Sequence, residues 1–505
     1  MSNPSKNILR GVIVLTYIII MAVVIYGLAA IFTYLNTGAD RSTMLHTEIK
    51  QVEHYLPKVV WAPLNNVGRP MDTQTLKSIE DDYLDAWYVK HVAFKSNTTT
   101  GIDDYYTESA RENLYNIITI NSENENSIDA TTLFHNITLE FFSEDGQLVV
   151  LTDKDVVEYK RLFKSGKYLT EINEISTYKI TLLLEDGFWR IRHLVREKSE
   201  THNPKVKNLP INSSELKGIN YYPQDSPWDM YGDKFDASII DADFKVINEA
   251  GLNSIRIFVP YEDFGKSSVT PDKLEKLKNV LDLAHKNRLK VLVTLFDFYG
   301  DYSVLDWSLT QRHAESVINY IKNHQALLGW DIKNEPNLDF ESRGKELVLA
   351  WLDKMVAHVK AEDPNHPVTI GWSNVESATL LKDKLDFISF HYYKDLDQLE
   401  PSFNSLKATT NQPVIVTEFG LSSYNGFWNP FGNSDEDQAK YHKDIQTIFK
   451  TNGIPYMSWT LYDFTEVPKE VVGGLPWRKN AQKHFGFIDK NGLKKASFKF
   501  ISSKE

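Results

Sequence analysis

The last three fifths of the chain alternate short apolar runs with stretches whose apolar residues recur every three or four positions. Apolar runs of about four to eight residues indicate buried strands, and the three-to-four spacing indicates amphipathic helices. The runs predict eight strands: Gly218–Tyr222, Ser254–Val259, Lys290–Asp297, Leu328–Glu335, Val368–Trp372, Phe387–Tyr393, Val414–Phe419 and Tyr456–Asp463. The predicted helices between them include Pro271–Asn287, Thr310–Asn323 and Lys345–Ala361. This alternation predicts a (β/α)8 TIM barrel, because a doubly wound sheet would normally have fewer strands and a glycine-rich first turn.

A different pattern precedes the barrel. Apolar residues at helical spacing predict one helix from Asp72 to Ala93, and a second is expected from Asp103 to Ile118. Alternating apolar and polar residues then predict antiparallel strands near 133–141, 147–151, 172–184 and 188–195, with hairpin turns at Gly146 and Gly187. This order predicts a small α+β domain and resembles the NTF2-like (SnoaL-like) cone fold.

The small domain has no recognisable catalytic motif. Its candidate polar residues, His135, Asp155, Glu158 and His193, do not have a catalytic spacing. We therefore interpret the domain as a spacer or interaction module. A small-ligand sensor is the alternative, and it would need a polar pocket that the sequence does not reveal.

The N-terminal region contains a long uncharged segment. Residues 11–35 have no charged side chain and would span about 37 Å as a helix, enough to cross a bilayer. Lys6 and Arg10 precede the segment, so the positive-inside rule predicts a cytoplasmic N-terminus and a periplasmic or extracellular catalytic domain. Cleavage after Leu28-Ala29-Ala30 stays open. The predicted segments are a cytoplasmic N-terminus (1–10), a transmembrane anchor (11–35), a stalk (36–70), the α+β domain (71–198), a linker (199–215) and the barrel (216–505).

Composition narrows the range of partners. The net charge of −12 argues against nucleic acid, because a phosphate backbone requires a basic surface. The chain has no cysteine, which excludes disulfides and cysteine metal ligands. Aromatic residues make up 12% of the chain, and several lie in predicted loops, which favours binding of sugar rings. A polysaccharide or oligosaccharide is therefore the expected substrate.

Polar and aromatic residues end seven of the predicted strands. In a TIM barrel these C-terminal strand ends carry the active site. The residues are Arg256, Asp297, Asn334, Glu335, Trp372, His391, Tyr393, Glu418 and Trp459. Two glutamates on different strands provide the pair of carboxyl groups that retaining glycoside hydrolysis needs. The tripeptide Asn334-Glu335-Pro336 is a weak signal alone, and the whole set is more specific.

These residues carry a family resemblance. The region from about Lys217 to Phe500 resembles the clan A glycoside hydrolases, most closely the family 5 (cellulase/mannanase) type, in Arg256, Asn334-Glu335-Pro336, His391-Tyr392-Tyr393, Thr417-Glu418-Phe419-Gly420 and Ser458-Trp459. The resemblance implies that Glu335 is the acid/base and Glu418 the nucleophile. No metal or other cofactor is implied.

Further roles follow from residue chemistry within this framework. Arg256 and Tyr393 beside Glu418 would favour its charged form, and Glu335 would then keep its proton. Asn334 is expected to bind the sugar 2-hydroxyl, His391 to bind the sugar or support the acid/base, and Trp459 to lie beneath the sugar ring.

Other expectations concern the surroundings of these residues. Asp297 stands where many family members have histidine, and we expect it to bind a hydroxyl group. Trp428 and Trp477 are the best candidates among the loop aromatics for sugar platforms. Lys333 needs a counter-charge, for which Asp331 or Asp297 is the hypothesis.

The combined prediction is a membrane-anchored, retaining, endo-acting β-glycosidase that acts on a β-linked glucan or mannan. An anchor would suit exopolysaccharide processing beside a polysaccharide synthase or export complex. The alternatives are a transglycosylase that remodels β-glucan and a non-catalytic carbohydrate-binding protein on a TIM-barrel scaffold.

Overall fold

The computed structural model describes residues 14–17, 19–28, 55–202, 207–427, 429–472 and 475–502. The chain divides into two units, Met1–Glu53 and His54–Glu505. In the first unit, residues 14–17 and 19–28 are helical.

The expectation of a membrane anchor over residues 11–35, on which the predicted extracytoplasmic location rested, is wrong. Among the described residues, no helix combines the length and the apolar character needed to cross a membrane.

The second unit begins with a small α+β domain. Its strands are β1 (Lys58–Trp61), β2 (Val67–Gly68), β3 (Asn126–Phe142), β4 (Leu148–Lys164), β5 (Lys167–Glu185) and β6 (Phe188–Thr201). Its helices are α1 (Thr73–Ser96), α2 (Ile102–Tyr105) and α3 (Glu108–Glu123). Strands β3 to β6 form an antiparallel meander, and β1 and β2 pair with β3 in parallel. Both of these short strands lie in the range predicted as a stalk. The NTF2-like assignment stays a prediction.

The barrel follows the small domain. Its strands are β7 (Lys217–Asn220), β8 (Ser254–Pro260), β9 (Lys290–Asp297), β10 (Leu327–Asn334), β11 (Val368–Trp372), β12 (Ile388–Tyr392), β13 (Val414–Phe419) and β14 (Tyr456–Ser458). They form one closed barrel in which every neighbouring pair is parallel. All eight predicted barrel strands are confirmed.

Helices surround this barrel. They are α4 (Ala237–Glu249), α5 (Pro271–Lys286), α6 (Trp307–Ile321), α7 (Lys345–Glu362), α8 (Leu399–Lys407), α9 (Asp435–Asn452), α10 (Lys469–Val472) and α11 (Pro476–Gln482).

Local sequence determines where several of these helices begin. Asp236 accepts hydrogen bonds from the first turn of α4, and Ser434 with Asp437 forms a capping box on α9. The strands between the helices are almost fully buried, so side chains at their C-terminal ends are held on a rigid frame.

The small domain packs against the outside of the barrel. The ring of Tyr159 on β4 stacks on Trp307 of α6 with centroids 4.3 Å apart. Arg312 donates hydrogen bonds to the carbonyl oxygens of Leu56 and Pro57 at 3.1 and 2.7 Å. This contact covers helices and leaves the C-terminal ends of the barrel strands to the site described below.

Candidate active site

A cavity of about 390 Å³ lies at the C-terminal ends of the barrel strands. Its volume is within the usual range of ligand-binding clefts. Its lining brings together residues from many parts of the barrel: Tyr222, Trp228, Phe258, Asp297, Phe298, Asn334, Glu335, Tyr393, Glu418, Trp459, Val471, Val472, Gln482 and Phe485. Six of the predicted site residues are among them.

Glu335 leaves strand β10 in an unusual backbone conformation. Its φ and ψ are 48° and 47°, a left-handed conformation that is uncommon outside glycine. The Glu335 amide donates to the carbonyl oxygen of Gly371 at 2.7 Å, and Pro336 then begins a short 3-10 turn. The turn directs the Glu335 carboxyl group to His391, whose Nδ1 lies 2.8 Å from Oε1.

Glu418 lies near the end of β13 and its side chain is only slightly exposed. The hydroxyl of Tyr393 donates to Oε1 at 2.6 Å, and Arg256 Nη1 donates to Oε2 at 3.4 Å. Both contacts fix the orientation of the Glu418 carboxyl group. The predicted association of Arg256 and Tyr393 with Glu418 is therefore found.

The two glutamates are close together. One carboxylate oxygen of Glu335, one of Glu418 and a ring nitrogen of His391 all lie within 4.8 Å of one another. In retaining glycosidases the two carboxyl groups are about 5–5.5 Å apart, and in inverting enzymes they are about 6.5–9.5 Å apart. A separation of at most 4.8 Å between one oxygen of each carboxyl group fits the shorter, retaining spacing better than the inverting one.

Arg256 is the centre of the polar network beneath the cavity. Its side chain is completely buried. Nε and Nη2 donate to Asp331 Oδ2 at 3.0 and 2.6 Å, Nη1 donates to Asn220 at 3.1 Å, and Nη2 donates to Asn334 Oδ1 at 2.9 Å. Burial opposes its charge, but the attraction of Asp331 and Glu418 is stronger and raises the pKa of Arg256. Since Asn334 accepts through its carbonyl oxygen, its NH₂ group is left to donate to a ligand.

The pKa of Glu335 is shifted in the direction opposite to the one we expected. Burial acts to raise the pKa of Glu335, but the hydrogen bond and charge of His391, together with Arg256 and Lys333, outweigh it and lower that pKa. We expected the negative charge of Glu418 to keep the proton on Glu335. The cationic side chains dominate instead.

His391 is buried beneath Glu335 and does not line the cavity. Its Nδ1 is 2.8 Å from Glu335 and 3.7 Å from Glu418. Its Nε2 has no hydrogen-bond partner among the described residues. Of the two expectations for His391, this geometry favours support of Glu335 over direct sugar binding.

Asp297 lines the cavity, and Lys333 lies close enough to act on it through its charge. Burial raises the pKa of Asp297 to about 6, although Lys333, Arg256 and the hydroxyl of Tyr222 all act to lower it. The hypothesis for the counter-charge of Lys333 holds only in part: Lys333 acts on Asp297 through its charge, but it makes its ion pair with another carboxylate. Lys333 Nζ lies 3.4 Å from Asp339, since Asp331 is already held by Arg256.

The aromatic residues fall into two groups. Trp459 is buried against the cavity, as expected, and its indole Nε1 has no hydrogen-bond partner within the described chain. Trp477 is 46% exposed on α11 and does not line the cavity, and Trp428 lies outside the described residues.

Several lining residues were missed by the sequence reasoning. Tyr222 ends the first predicted strand, so the strand-end rule could have identified it. Trp228 and Phe298 have positive φ values of 62° and 58°, which no local signal predicts. Phe485 comes from the segment after α11, to which the strand-end rule does not apply.

The side chains of Glu335, His391 and Glu418 are also close enough together to bind one metal ion. Its atoms already have partners, however. His391 bonds to Glu335, and the Glu418 oxygens bond to Tyr393 and to the guanidinium of Arg256. A second cation at this position would face the positive charge of Arg256.

Comparison with known proteins identifies the region that carries this site. Residues 210–465, just over half of the chain, match the family model described as cellulase (glycosyl hydrolase family 5). The β-glucuronidase of Chlorocebus aethiops is 24% identical over 290 residues, which are 52% of this chain and 41% of that protein. The chain thus matches less than half the length of these β-glucuronidases.

Two further relatives are similar over the barrel region. The mannan endo-1,4-beta-mannosidase A of Emericella nidulans is 24% identical over 222 residues, covering 36% of this chain and 57% of that protein. Among solved structures, an exo-beta-1,4-mannosidase from Opitutaceae bacterium strain TAV5 has 17% identity and a TM-score of 0.48, covering 58% of this chain and 61% of the other.

Proposed function

The chain belongs to glycosyl hydrolase family 5, and on that basis we propose that it is a retaining β-glycoside hydrolase with Glu418 as nucleophile and Glu335 as acid/base. The observation that carries the proposal is the separation of their carboxylate oxygens, within 4.8 Å, at the wall of one cavity. An inverting mechanism would need room for a water molecule between them.

In the first half-reaction a Glu418 oxygen attacks the anomeric carbon while the bond to the leaving oxygen breaks. Glu335 gives its proton to that oxygen. Because neighbouring side chains lower the pKa of Glu335, substrate binding must stabilise the proton on its carboxyl group. A sugar that displaces water from the cavity increases the desolvation of Glu335 and so favours its protonated form.

In the second half-reaction Glu335 accepts a proton from a water molecule. The water oxygen attacks the anomeric carbon, the ester bond to Glu418 breaks, and the original configuration is restored. The Asn334 NH₂ group and Trp459 are proposed to hold the sugar, with Asp297 binding a hydroxyl group.

For the substrate we propose a β-linked glycan with neutral sugars, a mannan or a glucan, cleaved internally. The aromatic walls of the cavity support ring stacking, and the relative from Emericella nidulans is named as an endo-1,4-beta-mannosidase. The β-glucuronidase relatives make a β-glucuronide the second candidate. The idea of a synthase or export complex rested on the anchor and is dropped.

The test is to incubate the protein with β-1,3-, β-1,4- and mixed-linkage glucans, with β-mannans and with aryl β-glucuronides. The anomeric form of the first product is followed by NMR. We expect cleavage with retention, and loss of turnover on the order of 10⁴-fold or more in Glu418→Gln. Glu376→Gln is the matched control, because Glu376 is an exposed residue paired with Lys394.

Other outcomes would decide between the remaining functions. Products longer than the substrate would indicate a transglycosylase. Binding of a glycan that survives both Glu418→Gln and Glu335→Gln, with no turnover by the unaltered protein, would indicate a carbohydrate-binding protein. An inverted first product would exclude the proposed double displacement.

A further inference from the structure

The small domain contains a second cavity, of about 520 Å³, separate from the barrel site. It lies between α1, α3 and the sheet. Much of its wall is apolar and comes from four elements: Phe94, Leu114, Ile117, Ile128, Ile191 and Leu194. Its volume is that of a small-molecule pocket. The sequence does not reveal this cavity, because these residues are far apart along the chain.

Cationic side chains gather at one side of this cavity. Lys160 lies 2.8 Å from Glu158 and 3.0 Å from Glu174, and Arg196 lies 3.0 Å from Glu174. These two cations therefore have their counter-charges. Lys90, which lines the same cavity, has no ion-pair partner among the described residues, and its ammonium group lies 3.4 Å from the ring centroid of Trp87.

The surroundings of Lys90 disfavour its charge. Burial lowers the pKa of Lys90 to about 7, even though Glu158 attracts the ammonium group, and Lys160 and Arg196 add to the lowering. A buried amine in such a setting is strongly stabilised by an anion brought to it.

His91 provides a second polar group at the same place. It lines the cavity and is 2% exposed, and its Nδ1 has no hydrogen-bond partner in the part of the chain that the structure describes. Burial and the neighbouring lysines hold the pKa of His91 well below its usual range, so the ring is neutral and has one N–H to donate. A buried polar atom of this kind normally has a partner.

We propose that this cavity is a binding site for an amphipathic organic anion, an apolar chain with one carboxylate group. The carboxylate would pair with Lys90 and meet the ring of His91, and the chain would lie against the apolar wall. A cationic amphiphile would be repelled, because the four cationic side chains Lys90, Lys160, Arg192 and Arg196 outnumber the one carboxylate in the lining, Glu158. A free sugar would leave the apolar wall without a partner.

The test uses octanoate and octyltrimethylammonium, which have similar chains and opposite charges. Each is titrated into the full-length protein by isothermal titration calorimetry. Octanoate is expected to bind, and Lys90→Met is expected to weaken its binding at least tenfold. Lys77→Met is the matched control, because Lys77 is an exposed lysine on α1 paired with Glu80 and Asp81.

A third variant separates this site from the barrel. Octanoate binding that persists in Glu418→Gln supports a site in the small domain. The proposal is overturned if octanoate does not bind, if both amphiphiles bind equally, or if Lys90→Met binds octanoate as the unaltered protein does. Thermal unfolding of Lys90→Met verifies that the variant is folded. None of these outcomes depends on whether the barrel hydrolyses glycans.

Discussion

His391 connects the two candidate catalytic carboxyl groups. Its Nδ1 is within hydrogen-bonding distance of Glu335 and 3.7 Å from Glu418. A side chain in this position controls the protonation of Glu335, because its hydrogen bond and charge lower the pKa of that carboxyl group.

Replacing His391 therefore has a directional effect on the pH dependence of kcat/KM. His391→Ala removes the hydrogen bond and charge that lower the pKa of Glu335, so that pKa rises. A general acid must be protonated, and activity is lost as pH rises through its pKa. The basic limb should move to higher pH, measured by pH–rate profiles on an aryl β-glycoside. An unchanged or lower basic limb would contradict this, and His193→Ala in the small domain is the control.

Asp297 links the site to stability. Its pKa is raised to about 6, so the folded protein binds this proton more tightly than the unfolded chain does. The stabilisation is present at low pH and is lost as pH rises from about 4 through 6. The Tm of the unaltered protein should thus fall relative to the Tm of Asp297→Asn over this pH range. The expected change is equivalent to about 3 kcal/mol.

Scanning calorimetry at several pH values would measure this difference. The exposed Asp233 provides the control variant, Asp233→Asn. A Tm difference that is constant or grows with pH would show that Asp297 is not held protonated by burial.

At the level of elements, the barrel was the most predictable part of the chain. Each strand is a nearly continuous apolar run between helices, so its ends were predicted to within a few residues. The strands of the small domain were harder. The prediction ended strand β4 at Leu151, because Thr152, Asp153, Lys154 and Asp155 interrupt the alternating pattern. The strand in fact extends to Lys164.

The site was predictable only where a strand carries it. Glu418 and Trp459 lie at the ends of β13 and β14, and Arg256 lies within β8; their convergence follows from barrel geometry. Phe298 and Phe485 reach the same cavity through loops, and the lowered pKa of Glu335 depends on side-chain distances that a sequence does not contain.

Gly371 on strand β11 has no side chain and so leaves room for the ion pair of Arg256 and Asp331. A Cβ atom on Gly371 would lie 2.7 Å from Arg256 Nη2 and 2.9 Å from Asp331 Oδ2. Gly371→Ala should displace this ion pair and, through it, Asn334 and Glu418. We expect kcat/KM to fall about 10- to 100-fold, because small displacements in an active site have effects of that size.

Steady-state kinetics on an aryl β-glycoside would measure the loss. Gly300→Ala is the control, since a Cβ atom there would meet nothing within 4 Å. Full activity in Gly371→Ala would mean that the network tolerates the extra methyl group.

At the scale of the whole molecule, the small domain and barrel share a buried contact. Tyr159 is 1% exposed and stacks on Trp307. Tyr159→Ala should cost about 3–5 kcal/mol and lower the Tm of the full-length protein by several degrees. Tyr168→Ala, at a ring 41% exposed on the same sheet, should change it little. Equal Tm values for the two variants, measured by calorimetry, would show that the stacked contact contributes nothing to stability.

The buried guanidinium of Arg256 has a consequence for how such a protein can diversify. Its contacts to Asp331, Asn220, Asn334 and Glu418 draw on one rigid set of N–H groups. Losing any one partner leaves a buried polar group without a bond, so these positions can be exchanged only as a set. New preferences for sugars are therefore expected to arise by substitutions among the other lining residues, at Phe298, Val471, Val472 and Phe485. The residues around Arg256 are expected to stay the same.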